Sequence, residues 1–206
     1  YSFIIGSMVI VWALRLGSFL FKRVKEVGKD VRFLEMKKDF FWFLMTWTLS
    51  GLWVFLTYAA GLLAMTSINL ETTFSYYQYF CLIIGSSLWI IGFVIEAISD
   101  HQKKVFRQNI SNKGNFIKSG LWSWSRHPNY FGEIVLWTGI AVIALPTMIG
   151  FKYIVLISPI FVYFLLTKIS GIPMLEKSSD KKWGKDADYL DYKKNTPILF
   201  FKKPTL

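Results

Sequence analysis

Apolar residues in this chain fall into five long blocks separated by polar segments, at about 2–21, 40–65, 76–98, 134–150 and 153–170. Each reaches or approaches the roughly 20 residues a helix needs to cross a hydrocarbon core about 30 Å thick. Lipid offers no partner for backbone N–H and C=O groups, so only helices and closed barrels span it. The blocks lack the two-residue alternation of barrel strands. The pattern therefore predicts an all-α, polytopic membrane protein with about five transmembrane helices, one membrane-embedded domain over residues 1–206. The fourth block is short and contains Pro146, which predicts a tight helical hairpin with the fifth. The chain begins at Tyr1 without Met, so further amino-terminal helices are expected ahead of it. Residues 2–21 make a poor signal peptide, because no basic segment precedes them and Arg15 interrupts the apolar run.

Composition agrees: 53% of the 206 residues are hydrophobic and 18% aromatic. The formal net charge of +11 changes the picture because it is sorted by loop. Residues 22–39 hold Lys22, Arg23, Lys25, Lys29, Arg32, Lys37 and Lys38, whereas the next loop, TSINLETTFS, has neither Lys nor Arg. Residues 99–133 are basic again, the following turn holds only Lys152, and eight lysines lie between Lys177 and Lys203. Alternating basic and bare loops place the basic side, and with it the carboxy terminus, in the cytosol. Anionic headgroups account for much of this excess, and nucleic acid is not an expected partner. A single cysteine, Cys81, in an apolar block excludes an internal disulfide and points to packing; with only two histidines, no metal site is expected.

The chemistry concentrates in GLWSWSRHPNYFGE, residues 120–133, immediately before the fourth block. Arg126, His127, Asn129, Tyr130 and Glu133 crowd a helix start, and ionisable groups near hydrocarbon are expensive enough to read as functional. Trp122 and Trp124 suit an interfacial belt, and Pro128 and Gly132 are read as fixing a turn. Asn129 offers both donor and acceptor atoms, with Glu133 one turn along on the same face. Arg15 either snorkels towards headgroups or faces a polar cavity in the bundle. Asp30 and Arg32 come together after Gly28, and Glu96, Asp100, Lys103/Lys104 and Arg107 fall at helical spacing and can share one face. Acids among arginines suit a ligand that carries both hydroxyl or amide donors and phosphates, since guanidinium grips two phosphate oxygens at once. Glu176 leads away from the membrane, and Tyr189 and Tyr192 lie on one helical face, able to stack on a ring or bond a phosphate. An interfacial amphipathic helix is the alternative for that tail.

FIKSGLWSWSRHPNYFGE, SGIPMLEK and the G-x-x-x-x-Y-x-x-Y tail resemble the steroid 5α-reductase superfamily, in its bacterial-type branch, from Trp12 almost to the carboxy terminus. The resemblance implies an integral protein of a bacterial inner membrane or the endoplasmic reticulum that holds NADPH in a cytosol-facing cavity. It would reduce a carbon–carbon double bond, conjugated to a carbonyl, in a lipid entering from the bilayer. It also implies cofactor contacts at Arg15, Arg32, Glu96, Asp100, Arg107, Trp122, Asn129, Tyr130 and Glu133, and at Glu176, Tyr189 and Tyr192. Trp12 stands where the steroid reductases have the Tyr that polarises the substrate carbonyl, so the proton donor is unassigned and Tyr130 is the candidate. The RHPNYFG turn also resembles S-adenosylmethionine-dependent isoprenylcysteine and phospholipid methyltransferases, which bind a sulfonium without phosphates. The acid–arginine pairs favour the reductase.

Overall fold

The computed structural model describes residues 2–27, 38–67 and 75–204. Among the described residues, seven α-helices make up the bundle: α1 Ser2–Val27, α2 Phe40–Thr66, α3 Tyr76–Gln108, α4 Pro128–Ala144, α5 Ile157–Phe164, α6 Gly171–Trp183 and α7 Ala187–Asn195. Short 3-10 turns and one π-turn join them, and no strand occurs among the described residues. Among the described residues, five helical stretches are long and apolar enough to cross a membrane, the fifth running continuously over Gly150–Trp183. Asp30 and Arg32 lie outside the described residues.

Local signals explain the helix starts. Asp39 caps α2 by accepting from the Trp42 N–H at 2.7 Å. Ser75 and Gln78 form a reciprocal capping box on α3. Pro128 sits at the first position of α4, where its missing N–H costs nothing. Leu145–Thr147 tightens into a 3-10 turn around Pro146, and Gly150 takes a φ of 56°, so the expected hairpin between the fourth and fifth spans closes there.

Several helices run further than their apolar blocks. α1 continues to Val27, α3 to Gln108, and α4 begins at Pro128 rather than near residue 134. Hydropathy marks where hydrocarbon ends; helical hydrogen bonding continues through polar residues that emerge from it. Consequently the RHPNYFGE segment is not a turn. Its last six residues are the first turns of α4.

Lipid is as apolar as a protein core, so helices in a bilayer associate chiefly through close packing of small residues. α3 and α4 run antiparallel and meet along four glycines. A Cβ on Gly92 would lie 2.5 Å from the Gly132 carbonyl oxygen, and one on Gly85 would lie 2.6 Å from that of Gly139. Gly132 is therefore a close-approach glycine in a helix rather than a turn residue. α4 is the central helix, with Leu136, Trp137, Ile140 and Ile143 all buried. α1 lies at the edge and packs on α2 and on Trp137 through Trp12, ring centroids 5.0 Å apart and edge-on.

Candidate cofactor site

The glycine seam carries the site with it. One turn beyond Gly92, α3 places Glu96, whose backbone nitrogen would sit 2.7 Å from a Cβ at Gly132. Glu133 follows Gly132 on α4, so the seam brings two buried carboxylates to the same depth. Asp100 lies one turn past Glu96, and the Asn129 amide donates to its Oδ1 at 3.4 Å. From α1, Arg15 donates Nη1 to Asp100 Oδ2 at 2.9 Å and Nη2 to Glu96 Oε1. Of the two roles open to Arg15, the structure shows the inward one: its head faces polar groups in the bundle, and both terminal nitrogens are engaged by carboxylates.

Of these, Glu96, Asp100, Asn129 and Glu133 line the inner end of a cavity of about 850 Å³ between α1, α2, α3, α4 and the start of α6. Pockets for small molecules commonly measure about 300–1,000 Å³, so this one is large. Leu16, Phe19 and Leu20 of α1 with Leu49 and Trp53 of α2 make an apolar wall. Lys22, Arg23, Lys103, Lys104 and Arg107 line the opposite, basic end, where Lys104 pairs with Glu26 at 3.5 Å. Asn129, Tyr130 and Glu133 line the cavity from α4. Gly171 lets the Tyr130 ring pass, since a Cβ there would meet the ring at 2.9 Å. Just before it the chain makes a π-turn, Leu165–Ile169, a local widening that often marks functional sites. Among the described residues, two occluded polar atoms of lining residues have no hydrogen-bond partner, Glu96 Oε2 and Asn129 Oδ1.

The residues expected in one pocket thus divide into two groups. Arg15, Glu96, Asp100, Arg107, Asn129, Tyr130 and Glu133 gather around the cavity. Trp122, Arg126, His127, Glu176, Tyr189 and Tyr192 build an adjoining cluster that fastens the start of α4 to the carboxy-terminal helices. Glu176 accepts from Arg126 and, at 2.9 Å, from His127 Nε2, and Lys193 lies 3.5 Å away. Burial holds the His127 pKa below its ordinary value of 6.5, although Glu176 opposes this, so the ring is neutral near pH 7 and Nε2–H is the donor. The Tyr189 hydroxyl donates to Asp180 at 3.0 Å and the Tyr192 hydroxyl to the Trp122 carbonyl at 2.7 Å. Burial first, then the bond to Asp180, pushes the Tyr189 phenol up to about 12. Burial also raises that of Tyr192. Both hydroxyls are committed internally and are poor acids. Trp122 itself donates to the Ser99 carbonyl at 3.1 Å and carries the Lys103 ammonium over its ring at 4.3 Å, coupling the cluster to the cavity.

Sequence reasoning passed over several lining residues. Helical phase puts Lys103 and Lys104 with Glu96, Asp100 and Arg107, and Lys22 two turns along from Arg15, but nothing in the sequence separates these lysines from the basic excess of their loops. Gly171 lay in a quoted motif without a role. Thr46, Ser50 and Trp53 of α2 had no signal at all, because nothing in an apolar helix says which face a neighbour will cover. Among the described residues no group of three or more His, Cys, Asp or Glu is placed to hold a metal ion.

The mouse 3-oxo-5-alpha-steroid 4-dehydrogenase 1 is 36% identical over 62 residues, 30% of this chain and 24% of its own length. A probable 7-dehydrocholesterol reductase of Acanthamoeba polyphaga mimivirus is 26% identical over 97% of this chain and 45% of its own. A probable O-methyltransferase, ustE, of Ustilaginoidea virens is 36% identical over 58 residues, 28% of this chain and 20% of its own. The chain thus spans less than half the length of each of these relatives. No solved structure matches it. The family model described as "Protein of unknown function (DUF1295)" matches residues 1–196, so the chain belongs to that family, within the steroid 5α-reductase-like group.

Proposed function

We propose that this chain forms the NADPH-holding part of a membrane reductase that saturates a carbon–carbon double bond, conjugated to a carbonyl, in a lipid or steroid-like substrate. The observation that carries the proposal is the cavity's division of labour. One end gathers five cations, the inner end holds carboxylates with two unsatisfied polar atoms, and the wall between α1 and α2 is apolar. A phosphate-rich dinucleotide fits the cations, and a carboxamide with both donor and acceptor atoms fits an inner end lined by Asn129 and the carboxyl-bearing Glu96 and Glu133. When bound, the cofactor supplies a hydride. Lys22, Arg23, Lys103, Lys104 and Arg107 neutralise phosphates; Asn129 and Glu133 orient the nicotinamide end; Leu16, Leu20, Leu49 and Trp53 exclude water and receive the lipid body. The basic end faces the cytosol by the distribution of lysines and arginines. The relatives named as a 3-oxo-5-alpha-steroid 4-dehydrogenase and a probable 7-dehydrocholesterol reductase support the reaction class.

S-adenosylmethionine transfer is the second reading, favoured by the methyltransferase relative. A sulfonium carries no phosphate and gains nothing from five surrounding cations. Thermal unfolding of the detergent-solubilised protein separates the two. A ligand that binds the native state at 100 times its Kd adds about 2.7 kcal/mol of stability. NADPH is expected to raise Tm and S-adenosylmethionine to leave it unchanged; the reverse result replaces the reductase with a methyltransferase.

A further inference from the structure

Two stretches of this chain, residues 101–132 and 192–206, contain no Asp or Glu, while they hold six and four Lys or Arg. Far apart in sequence, they meet at the start of α4. The tail beyond α7 crosses residues 124–126 as a strap held by three hydrogen bonds. The Arg126 and Lys202 N–H groups donate to the carbonyls of Pro197 and Trp124, and the Ser125 hydroxyl donates to that of Leu199. The strap has two sides. Thr196 and Leu199 are buried, whereas Ile198 is 43% and Phe200 66% exposed, and Trp124, on the segment crossed, is 41% exposed. None of these three outward residues lines the cavity.

Phe131 fixes the depth of the strap. The spanning stretch that α4 opens runs Pro128–Thr147. Phe131 lies about 4.5 Å along it, at 1.5 Å per residue. Its ring meets those of Phe200 and Phe201 edge-on, with centroids 6.3 and 4.9 Å away. The strap therefore reaches the level at which α4 enters hydrocarbon. A ring left uncovered at that level faces the boundary between headgroups and acyl chains, where aromatic side chains settle. Lys202 and Lys203 follow at once, and Lys194 precedes the strap; all three are exposed. A lysine so placed lays its methylenes on apolar surface and lifts its ammonium to the phosphates. The acids of α6 and α7 are engaged elsewhere: Glu176 with Arg126 and His127, Asp180 with Lys193, Asp186 at the cap of α7, Asp188 with Lys118 and Asp191 with the Asn195 amide. Exposed apolar side chains flanked by lysines complement the surface of a bilayer that carries acidic phospholipids. A soluble polyanion would match the lysines and leave Trp124, Ile198 and Phe200 in water.

We propose that the carboxy-terminal strap is a binding site for acidic phospholipids: Trp124, Ile198 and Phe200 enter the headgroup–acyl boundary, and Lys194, Lys202 and Lys203 bind the lipid phosphates. The leaflet is the cytosolic one, by the sorting of lysines and arginines among the loops. The site lies outside the cavity and holds whichever reaction the cavity carries out. It also connects the charge of the bilayer to the cavity through backbone. Pro197 and Leu199 hold Arg126 and Ser125, which lie within four residues of Asn129. Acidic lipid that draws the strap onto the start of α4 steadies Asn129 and Glu133, and in a neutral bilayer the strap opens more often.

The test is amide hydrogen exchange of the full chain in nanodiscs of phosphatidylcholine alone and in nanodiscs that also contain phosphatidylglycerol, read over residues 120–133 and 196–204. One lysine at an anionic surface is worth about fivefold, the equivalent of about 1 kcal/mol. Exchange of the wild type is therefore expected to slow by at least about fivefold in the anionic discs. Lys202→Gln with Lys203→Gln keeps all three strap hydrogen bonds, because Lys202 donates through its backbone, and is expected to lose most of that difference. Equal exchange of the wild type in both discs, or a full response in the double variant, overturns the proposal. Depth is read with a fluorophore on Phe200→Cys, the native Cys81 being buried. Quenching by a nitroxide-bearing phospholipid is expected; quenching by aqueous iodide alone leaves the strap in water and overturns it. A strap that tightens only when polyphosphate is added to neutral discs assigns the lysines to a soluble polyanion, with the same consequence.

Discussion

Arg15 reaches inward from an otherwise apolar face of α1 and divides its guanidinium between Glu96 and Asp100, with 17% of its side chain exposed. Resemblance alone makes it a phosphate contact, whereas the geometry makes it the counter-ion of the inner carboxylates. The two roles differ in what its loss would do. Removing one partner of a buried ion pair typically costs about 3–5 kcal/mol, because the other partner stays buried and uncompensated. Arg15→Ala is therefore expected to lower thermal stability by that order, measured by unfolding in detergent without any ligand. A variant as stable as the wild type returns Arg15 to the phosphates. Arg107 is the contrasting case: exposed, at the cavity mouth and free to meet an anion. A hydrogen bond to a charged group contributes about 1.5–3 kcal/mol, or roughly 10–100-fold in affinity. Arg107→Ala is expected to weaken NADPH by that factor and NADH much less, as measured by titration. Equal weakening moves Arg107 from the 2′-phosphate to the pyrophosphate.

At the level of elements, the α3–α4 pair is the frame on which everything else hangs. Gly85 and Gly92 on one helix face Gly139 and Gly132 on the other, seven residues apart on each, so a single contact repeats along the pair. A side chain at any of them drives backbone from backbone. Overpacking of this kind costs about 1–3 kcal/mol or more. Gly92→Leu is expected to lower Tm and, because Glu96 and Glu133 ride one turn away, to abolish NADPH stabilisation as well; loss of neither would place the helices further apart than they are here. This seam was hidden in the sequence, where the glycines of an apolar run are indistinguishable from fillers until the partner helix is known. The spans themselves were legible, since about 20 apolar residues leave little choice but a transmembrane helix. Their polar ends were not, because hydropathy reports the edge of the hydrocarbon and says nothing of how far the helix continues. That is why Asn129 and Glu133, read beside a turn, proved to be inside α4, and why their shared face, inferred from spacing alone, is a helical one.

Across the whole molecule, the residues picked out by sequence come from both ends of the chain, and what sequence could not show is that they serve two neighbouring structures. Helical phase puts Glu96, Asp100 and Arg107 on one face, but only the packing of α1 against the bundle shows Arg15 joining them, and only the fold of the tail shows Glu176 turning away to Arg126 and His127. The tail then acts at a distance. Beyond α7 it lies over the segment preceding α4: the Arg126 N–H donates to the Pro197 carbonyl at 2.9 Å, the Ser125 hydroxyl to that of Leu199 at 2.9 Å, and the Lys202 N–H to that of Trp124 at 3.1 Å. Each such bond contributes about 1 kcal/mol, so together they hold the start of α4 by about 3 kcal/mol. Ending the chain after Asn195 removes all three and leaves Ser125, fully buried in the intact protein, without its partner. The truncated protein is expected to keep its five spanning stretches, seen as unchanged helical circular dichroism. Amide hydrogen exchange should accelerate over residues 120–133, and NADPH should bind more weakly because Asn129 and Glu133 lose their fixed position. Unchanged exchange there would mean that the Glu176 cluster alone fastens α4, and that the last residues cover the site without shaping it.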